Sequence, residues 1–477
     1  MADSRNYSLK QLTKIQLKVA RQNRTILFLF SAVSSILLVL LLRDPSFTPT
    51  QDYVLFLLFF SIGLWITEAI PPFAVGILIV GFLVFTMGQE NTMDAKRYVQ
   101  TWSDGVIWLF LGGFFLAEGM KKTKLDLLLL KFAAPKFGTK AKNIILGLML
   151  ITAIISMLMS NTATTAMMIA TVAPIFTILG KDSKVAKALL LGIPAAASLG
   201  GMGTIIGSAP NAIAVGALEG IGIKITFIEW MIIGIPVALI LTFLFWKILI
   251  IKYKISQESL TLNFLQEEIP KEEGFEEEEK IRKNIVLVVL ITTLALWLTS
   301  QWTKIPVSAV SGIPIVALTM LGIIDADDVR ALPWDTLMLV AGGLALGLAI
   351  QEQGLATYFV SNISSVDIHF YLLLFLFALT TVTLSNFMSN TAATTILIPV
   401  ALSLMSITQG VDPIVLPMVI GLSASCALLL PVSTPPNAIA YSTGFIEQSE
   451  FRIGGLFIGL AGPILIICWT LLYSYFS

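Results

Sequence analysis

The sequence predicts an all-α integral membrane protein of about eleven transmembrane helices, arranged as two inverted repeats that each carry a re-entrant hairpin and a broken helix. Three observations predict it. The 477 residues are 56% hydrophobic and 13% charged, with a mean hydropathy of +0.88, so lipid is the expected solvent. The tripeptide Ser160-Asn161-Thr162 returns as Ser389-Asn390-Thr391, and Ser156, Met159, Ala163 and Thr165 match Ser385, Met388, Ala392 and Thr394 at the same offset. A second matched break follows each copy: Gly207-Ser208-Ala209-Pro210-Asn211-Ala212-Ile213 and Ser433-Thr434-Pro435-Pro436-Asn437-Ala438-Ile439. Interruptions at corresponding positions of two apolar halves point to the binding site of a secondary transporter.

Taken in order, residues 1–50 hold a basic stretch (Arg5, Lys10, Lys14, Lys18, Arg21, Arg24) and an apolar run at 25–43. No small-residue cleavage site follows it, so an anchor helix is expected rather than a removed signal. A first repeat over 51–252 then contains apolar runs at 52–70, 73–88 and 226–251, a hairpin at 143–180 and a broken helix at 185–220. An acidic linker at 253–284, with Glu267, Glu268, Glu272, Glu273 and Glu276 to Glu279, reads as a solvated cytoplasmic segment. The second repeat, 285–477, carries runs at 284–299, 305–323 and 453–476, a hairpin at 368–408 and a broken helix at 412–445. Most runs are long enough, at about 1.5 Å per residue, to cross a ~30 Å hydrocarbon core. The alternating segments of a β-barrel are absent, so each span closes its own hydrogen bonds as a helix. Further echoes link Trp65-Ile66-Thr67 with Trp297-Leu298-Thr299, and Gly112-Gly113 with Gly342-Gly343.

Basic residues give the expected orientation, because lysine- and arginine-rich loops stay in the cytoplasm. With the N-terminus inside and the C-terminus outside, the inner loops take the lysines of 121–142, those of 181–187, the linker, Arg330 and Arg452. This works only if 143–180 enters and leaves from the cytoplasm and 368–408 from outside. The protein is thus expected in the cell membrane. A net charge of zero gives no reason to expect nucleic acid. Cys426 and Cys468 have no metal-ligand spacing and read as small packed hydrophobes. Glu68, Asp104, Glu118 and Asp335 fall at segment ends, where helix capping and contact with water are the expected roles, Asp104 and Asp335 as caps. The glycine pairs read as close-packing sites between membrane helices.

At the breaks the chemistry favours an anion. Asn offers amide N–H groups, Ser and Thr offer hydroxyls, and an interrupted helix offers unpaired N–H groups at its positive end. Two opposed tips suit two carboxylates. No Lys, Arg or His lies in either break, and the chain's single histidine, His369, falls near a segment boundary. Charge compensation must therefore come from dipoles or from a cation bound with the anion. With no catalytic constellation and no ring of charged residues, neither an enzyme nor a channel is expected.

These residues carry a resemblance to the divalent anion/sodium symporters, the INDY-type carriers of di- and tricarboxylates, which covers nearly the whole chain after about residue 50. Its marks are the two Ser-Asn-Thr tips, the two Pro-Asn breaks and Trp65-Ile66-Thr67-Glu68-Ala69-Ile70-Pro71. The resemblance implies substrate contacts from Ser160, Asn161, Thr162 and Ser208, and from Ser389, Asn390, Thr391, Thr434 and Pro435. It implies one Na⁺ held by Ser156, Ser160, Asn161 and Gly207, and another by Ser385, Met388, Ser389, Asn390 and Ser433. It also implies a homodimer, an elevator-like movement with arms at 121–142 and 351–367, and a four- or five-carbon dianion such as succinate, malate, fumarate or 2-oxoglutarate. Sodium-coupled relatives tend to carry Thr-Glu-Phe-Thr before the second Ser-Asn, whereas this chain has Ser385-Asn386-Phe387-Met388. That departure tilts the expectation towards exchange of one dicarboxylate for another, with sodium symport, or a citrate or other anion carrier of the same fold, as the alternatives.

Overall fold

A computed structural model describes residues 9–88, 92–255, 275–355, 358, 369–405 and 412–476. Their regular structure is helical, with no strand among the described residues. The first half contains α1 (Leu9–Leu42), α2 (Pro49–Thr67), α3 (Pro72–Met87), α4 (Thr92–Gln100), α5 (Gly105–Lys122), α6 (Leu125–Ala133), α7 (Ala141–Ser156), α8 (Asn161–Leu179), α9 (Lys184–Gly200), α10 (Ala209–Gly220) and α11 (Phe227–Tyr253). The second contains α12 (Phe275–Leu298), α13 (Ser300–Thr303), α14 (Val307–Val310), α15 (Gly312–Met320), α16 (Ala326–Arg330), α17 (Trp334–Glu352), α18 (Phe370–Phe387), α19 (Asn390–Met405), α20 (Val415–Ser423), α21 (Pro435–Ser442) and α22 (Gln448–Phe476). Among the described residues nine helical segments are long and apolar enough to cross a membrane. Most of the acidic linker, and of the stretch 351–367 expected to form an arm, lies outside the described residues.

Local chemistry sets the helix starts. Thr48 and Thr226 open α2 and α11 with reciprocal capping boxes to Gln51 and Glu229, and the Asp104 carboxylate accepts from Val106 N–H at 2.9 Å to open α5. Asp335 departs from the expectation. The residue before α17 is Pro333, without a side-chain cap, and Asp335 sits inside the first turn with its carboxylate free of any capping bond. A second correction concerns Cys468, which is exposed on α22, whereas Cys426 is buried as expected.

The echoes in the sequence are matched contacts in space. Trp65 Nε1 donates to Pro72 O at 3.3 Å, and Trp297 Nε1 donates to Val307 O at 3.2 Å, so each indole pins the start of the following helix. Ile70-Pro71-Pro72-Phe73-Ala74-Val75-Gly76 then aligns with Ile305-Pro306-Val307-Ser308-Ala309-Val310-Ser311. Gly76 packs on Gly342, where an added Cβ would come within 2.3 Å of the Gly76 Cα, and Ser311 packs on Gly112, where it would come within 2.7 Å of the Ser311 Cβ. Each half thus lends a helix to the other half's glycine pair, which is the close packing expected of small residues.

Polar contacts sort the helix ends. Arg97 pairs with Glu352 at 2.9 Å and Gln51 donates to Gln353 O, gathering one end of the bundle. At the other end Lys122 pairs with Asp325 and Asp328, and Glu450 holds Lys187 and Tyr253. Helices α5 and α17, matched through their glycine pairs, therefore run in opposite directions, as an inverted repeat requires.

Two packed groups result. Helices α1–α5 and α12–α17 form one, and the hairpins, broken helices, α11 and α22 form the other. Within the second group the halves interleave: α10 packs on α19 and α20, and α21 packs on α8 and α9. The seam between the groups runs along α5, α10, α17 and α19.

Candidate functional site

Each hairpin turns at a serine that caps the next helix. Ser160 Oγ accepts from Ala163 N–H at 3.2 Å, and Ser389 Oγ accepts from Ala392 N–H at 3.1 Å. Capping fixes the tip and leaves the following Asn and Thr at the first turn, where backbone N–H groups are unpaired. Both broken helices are reclosed by an asparagine at the same register. Asn211 Nδ2 donates to Gly201 O and Thr204 O at 2.7 Å each, and Asn437 Nδ2 donates to Leu430 O at 3.1 Å. The conserved geometry of the two breaks thus rests on side chains that replace lost backbone bonds.

The tips and breaks converge on one cavity of about 440 Å³. Ser160, Asn161, Thr162, Ser208, Ser389, Asn390, Thr391, Thr434 and Pro435 all line it. Four helix N-termini, those of α8, α10, α19 and α21, open onto it. Ser208 makes no side-chain cap, so its hydroxyl is available to the cavity. Thr434 instead caps α21, accepting from Asn437 N–H at 3.3 Å. Sequence reasoning missed Ser198, Thr336 and Asp335, which also line the cavity. For Asp335 the available signal was its place in the first turn of α17, one residue out of register with Asp104 at the start of α5.

Of the residues in the implied sodium sets, Gly207, Ser433, Ser160, Asn161, Ser389 and Asn390 reach the cavity wall, whereas Ser156, Ser385 and Met388 are buried behind the tips. The two sets differ. In the first half, one end of the Asn161 amide lies 2.7 Å from Ser156 Oγ, 3.1 Å from Ala197 O and 3.3 Å from Gly207 O. Turned NH₂-inward, Asn161 donates to these oxygens and closes the pocket; turned oxygen-inward, it completes a cluster of four oxygens suited to a hard cation. In the second half Asn390 Oδ1 and Ser385 Oγ are buried with no hydrogen-bond partner. There the tip is braced by Asn386, whose Oδ1 accepts from Leu429 N–H at 2.9 Å and lies 3.1 Å from Ser433 Oγ, while Nδ2 donates to Val382 O at 2.8 Å. Both sets consist of neutral oxygen donors without a carboxylate, a chemistry that fits a monovalent hard cation better than a divalent one.

Comparison with known proteins agrees with this architecture. The family model described as the sodium:sulfate symporter transmembrane region matches residues 23–476. A transporter of Haemophilus influenzae is 35% identical over 455 residues, 90% of this chain and 94% of that protein. The sodium-dependent dicarboxylate transporter SdcS of Staphylococcus saprophyticus is 31% identical over 471 residues, 91% of this chain and 88% of that protein. Among solved structures, Neisseria gonorrhoeae MtrF superposes with a TM-score of 0.55 at 12% identity, covering 87% of this chain and 97% of that one. Alcanivorax borkumensis YdaH gives 0.51 at 14% identity, over 85% and 98%. These two likenesses are of fold alone. With a family match over nearly its whole length and a helical bundle built for a membrane, the chain belongs to the divalent anion/sodium symporter family and is a membrane transporter, not an enzyme.

Proposed function

We propose that this protein is a secondary active transporter of four- and five-carbon dicarboxylates, coupled to sodium, in the cell membrane with its N-terminus in the cytoplasm and its C-terminus outside. The observation that carries the reading is the meeting of two Asn-Thr tips and four helix N-termini in one cavity with no basic side chain. One carboxylate is held by Asn161, Thr162 and Ser208, the other by Asn390, Thr391 and Thr434, with Ser160, Ser389 and Pro435 shaping the walls. A dianion here lacks a fixed counter-charge, and burying it unpaired is costly. Sodium in the oxygen pockets at Ser156, Asn161 and Gly207, and at Ser385, Met388, Asn390 and Ser433, supplies that charge beside the tips. The SdcS relatives are sodium-dependent dicarboxylate transporters, which supports substrate and ion alike. The interleaved hairpin group moves as one unit against the α1–α5 and α12–α17 scaffold, an elevator-type alternating access, with a homodimer formed through the scaffold.

A second reading, exchange of one dicarboxylate for another without sodium, is favoured by the neutral Asn386 beside the second pocket. Counterflow in proteoliposomes separates the two. Labelled succinate taken up by empty vesicles under an inward sodium gradient supports symport. Uptake confined to succinate-loaded vesicles and indifferent to sodium supports exchange, and an absence of succinate flux in both overturns the dicarboxylate assignment.

A further inference from the structure

Asp335 is the single ionisable residue among those that line the central cavity, and it comes from the scaffold. It makes no hydrogen bond or ion pair with any described residue, so its charge is neither neutralised nor spent on capping. Asp335 is exposed and needs no partner for its charge, yet in the wall of an anion cavity it repels the ligand and so needs a reason. Its near-counterpart in the inverted repeat, one residue out of the glycine-pair register, supplies one. Asp104 stands at the start of α5, the helix matched to α17 by its glycine pair, and so at the opposite end of the bundle. There it lines a separate cavity of about 300 Å³ along the same seam, bounded by Gly216 and Ala217 of α10, by Gly343 and Leu344 of α17, and by Thr395 and Ile398 of α19. The other charged groups of that cavity, Arg97 and Glu352, are paired with each other. Beside it, Glu219 of α10 brings its carboxylate to 3.7 Å from the place a Cβ would take on Gly105. The seam thus carries one scaffold carboxylate near each mouth.

We propose that Asp335 and Asp104 are sided release groups: at its own face each repels the bound dianion and draws in the coupling cation, so that the hold on substrate is weakest where it must leave. The inference rests on the transport reading above and concerns residues outside the tips. Charges in clefts act over several ångströms and change local ion concentrations. A dianion near a unit charge loses affinity by a few-fold to tenfold in a wet vestibule, and salt reduces the loss. In the conformation described here Asp335 meets the tip cavity; after the hairpin group shifts along the seam, Asp104 takes the equivalent place at the other end.

The test uses the full-length protein in right-side-out and inside-out membrane vesicles, with the KM for succinate measured at each face. Asn is isosteric with Asp and caps helices as well, so D335N and D104N keep the fold. For D335N the expected result is a fall in the cytoplasmic-face KM of roughly three- to tenfold, an unchanged outer-face KM, and a shift that shrinks in high inert salt. D104N gives the mirror pattern, and D335E restores wild-type values. If the two variants exchange faces, the release role stands and the proposed orientation is reversed. Equal shifts at both faces for either variant, or none, overturn the inference while wild-type flux keeps the transport reading intact. An absence of succinate flux in the wild type overturns both.

Discussion

At the residue scale the two tips share a motif and differ in their hydrogen bonding. Turned NH₂-inward, the Asn161 amide satisfies Ser156, Ala197 and Gly207, whereas Asn390 Oδ1 and Ser385 Oγ have no hydrogen-bond partner among the described residues. Removing a buried hydrogen-bonding group costs about 1–3 kcal/mol when its partners are stranded. In sodium-free detergent Asn161→Ala is therefore expected to lower the melting temperature more than Asn390→Ala, while either reduces succinate uptake at least about tenfold. Equal melting shifts would show that the two asparagines contribute equally to the packing of their tips. Asn386 offers a second test. Its Oδ1 receives Leu429 N–H with Ser433 Oγ nearby, bonds that a carboxylate would keep, while the bond from Nδ2 to Val382 O would be lost. Asn386→Asp is expected to lower the melting temperature, through loss of the bond to Val382 O, and to lower, by several-fold, the sodium concentration giving half-maximal uptake, because the new charge lies beside the second oxygen pocket. A sodium dependence unchanged by this substitution confines Asn386 to bracing the tip.

At the scale of elements, glycine sets how closely the halves interlock. A Cβ on Gly342 would lie 2.5 Å from the Gly76 carbonyl oxygen, which belongs to the backbone and cannot rotate away, whereas one on Gly81 would meet nothing within 4 Å. Gly342→Ala is expected to destabilise by roughly 1–3 kcal/mol, read as a lower melting temperature, with Gly81→Ala close to neutral. The same elements show what the sequence disclosed. Hairpin tips and breaks were legible because Ser-Asn-Thr and Pro-Asn each recur once in the second half, 229 and 226 residues on, and one central cavity is lined by all nine of the residues expected to contact substrate. The partner of each glycine pair was not legible, because Gly76 and Ser311 differ in type and lie in the opposite half. Asp335 was misread as a cap, since an aspartate at a helix start has that role far more often than it lines a cavity. The bracing by Asn386 was hidden for a related reason: its partners Leu429 and Ser433 lie 43 and 47 residues away.

For the whole molecule, the proposed movement requires that the hairpin group hold together while the seam slides. Two cysteine pairs separate these requirements. Ala214 and Gly421 join the halves within the moving group, with the Cβ positions 3.0 Å apart, and Gly113 and Ile206 face each other across the seam, with the Cβ positions 3.3 Å apart. Both separations lie near the disulfide range of about 3.5–4.5 Å, so modest relaxation permits either bond. In a background with Cys426→Ala and Cys468→Ser, oxidation of A214C/G421C is expected to leave succinate uptake largely intact. Oxidation of G113C/I206C is expected to abolish uptake, with recovery on adding reductant, because one copy of the seam is then fixed in the state in which the tips face Asp335. Succinate binding, followed as a sodium-dependent rise in melting temperature, should survive the seam bond, since the bond alters the cavity wall only at Gly113 and Ile206 and leaves both Asn-Thr tips in place. Uptake that persists through a quantitatively formed seam disulfide would mean that substrate crosses by movement within the hairpin group alone, and the rigid-unit picture would give way to local opening of the tips.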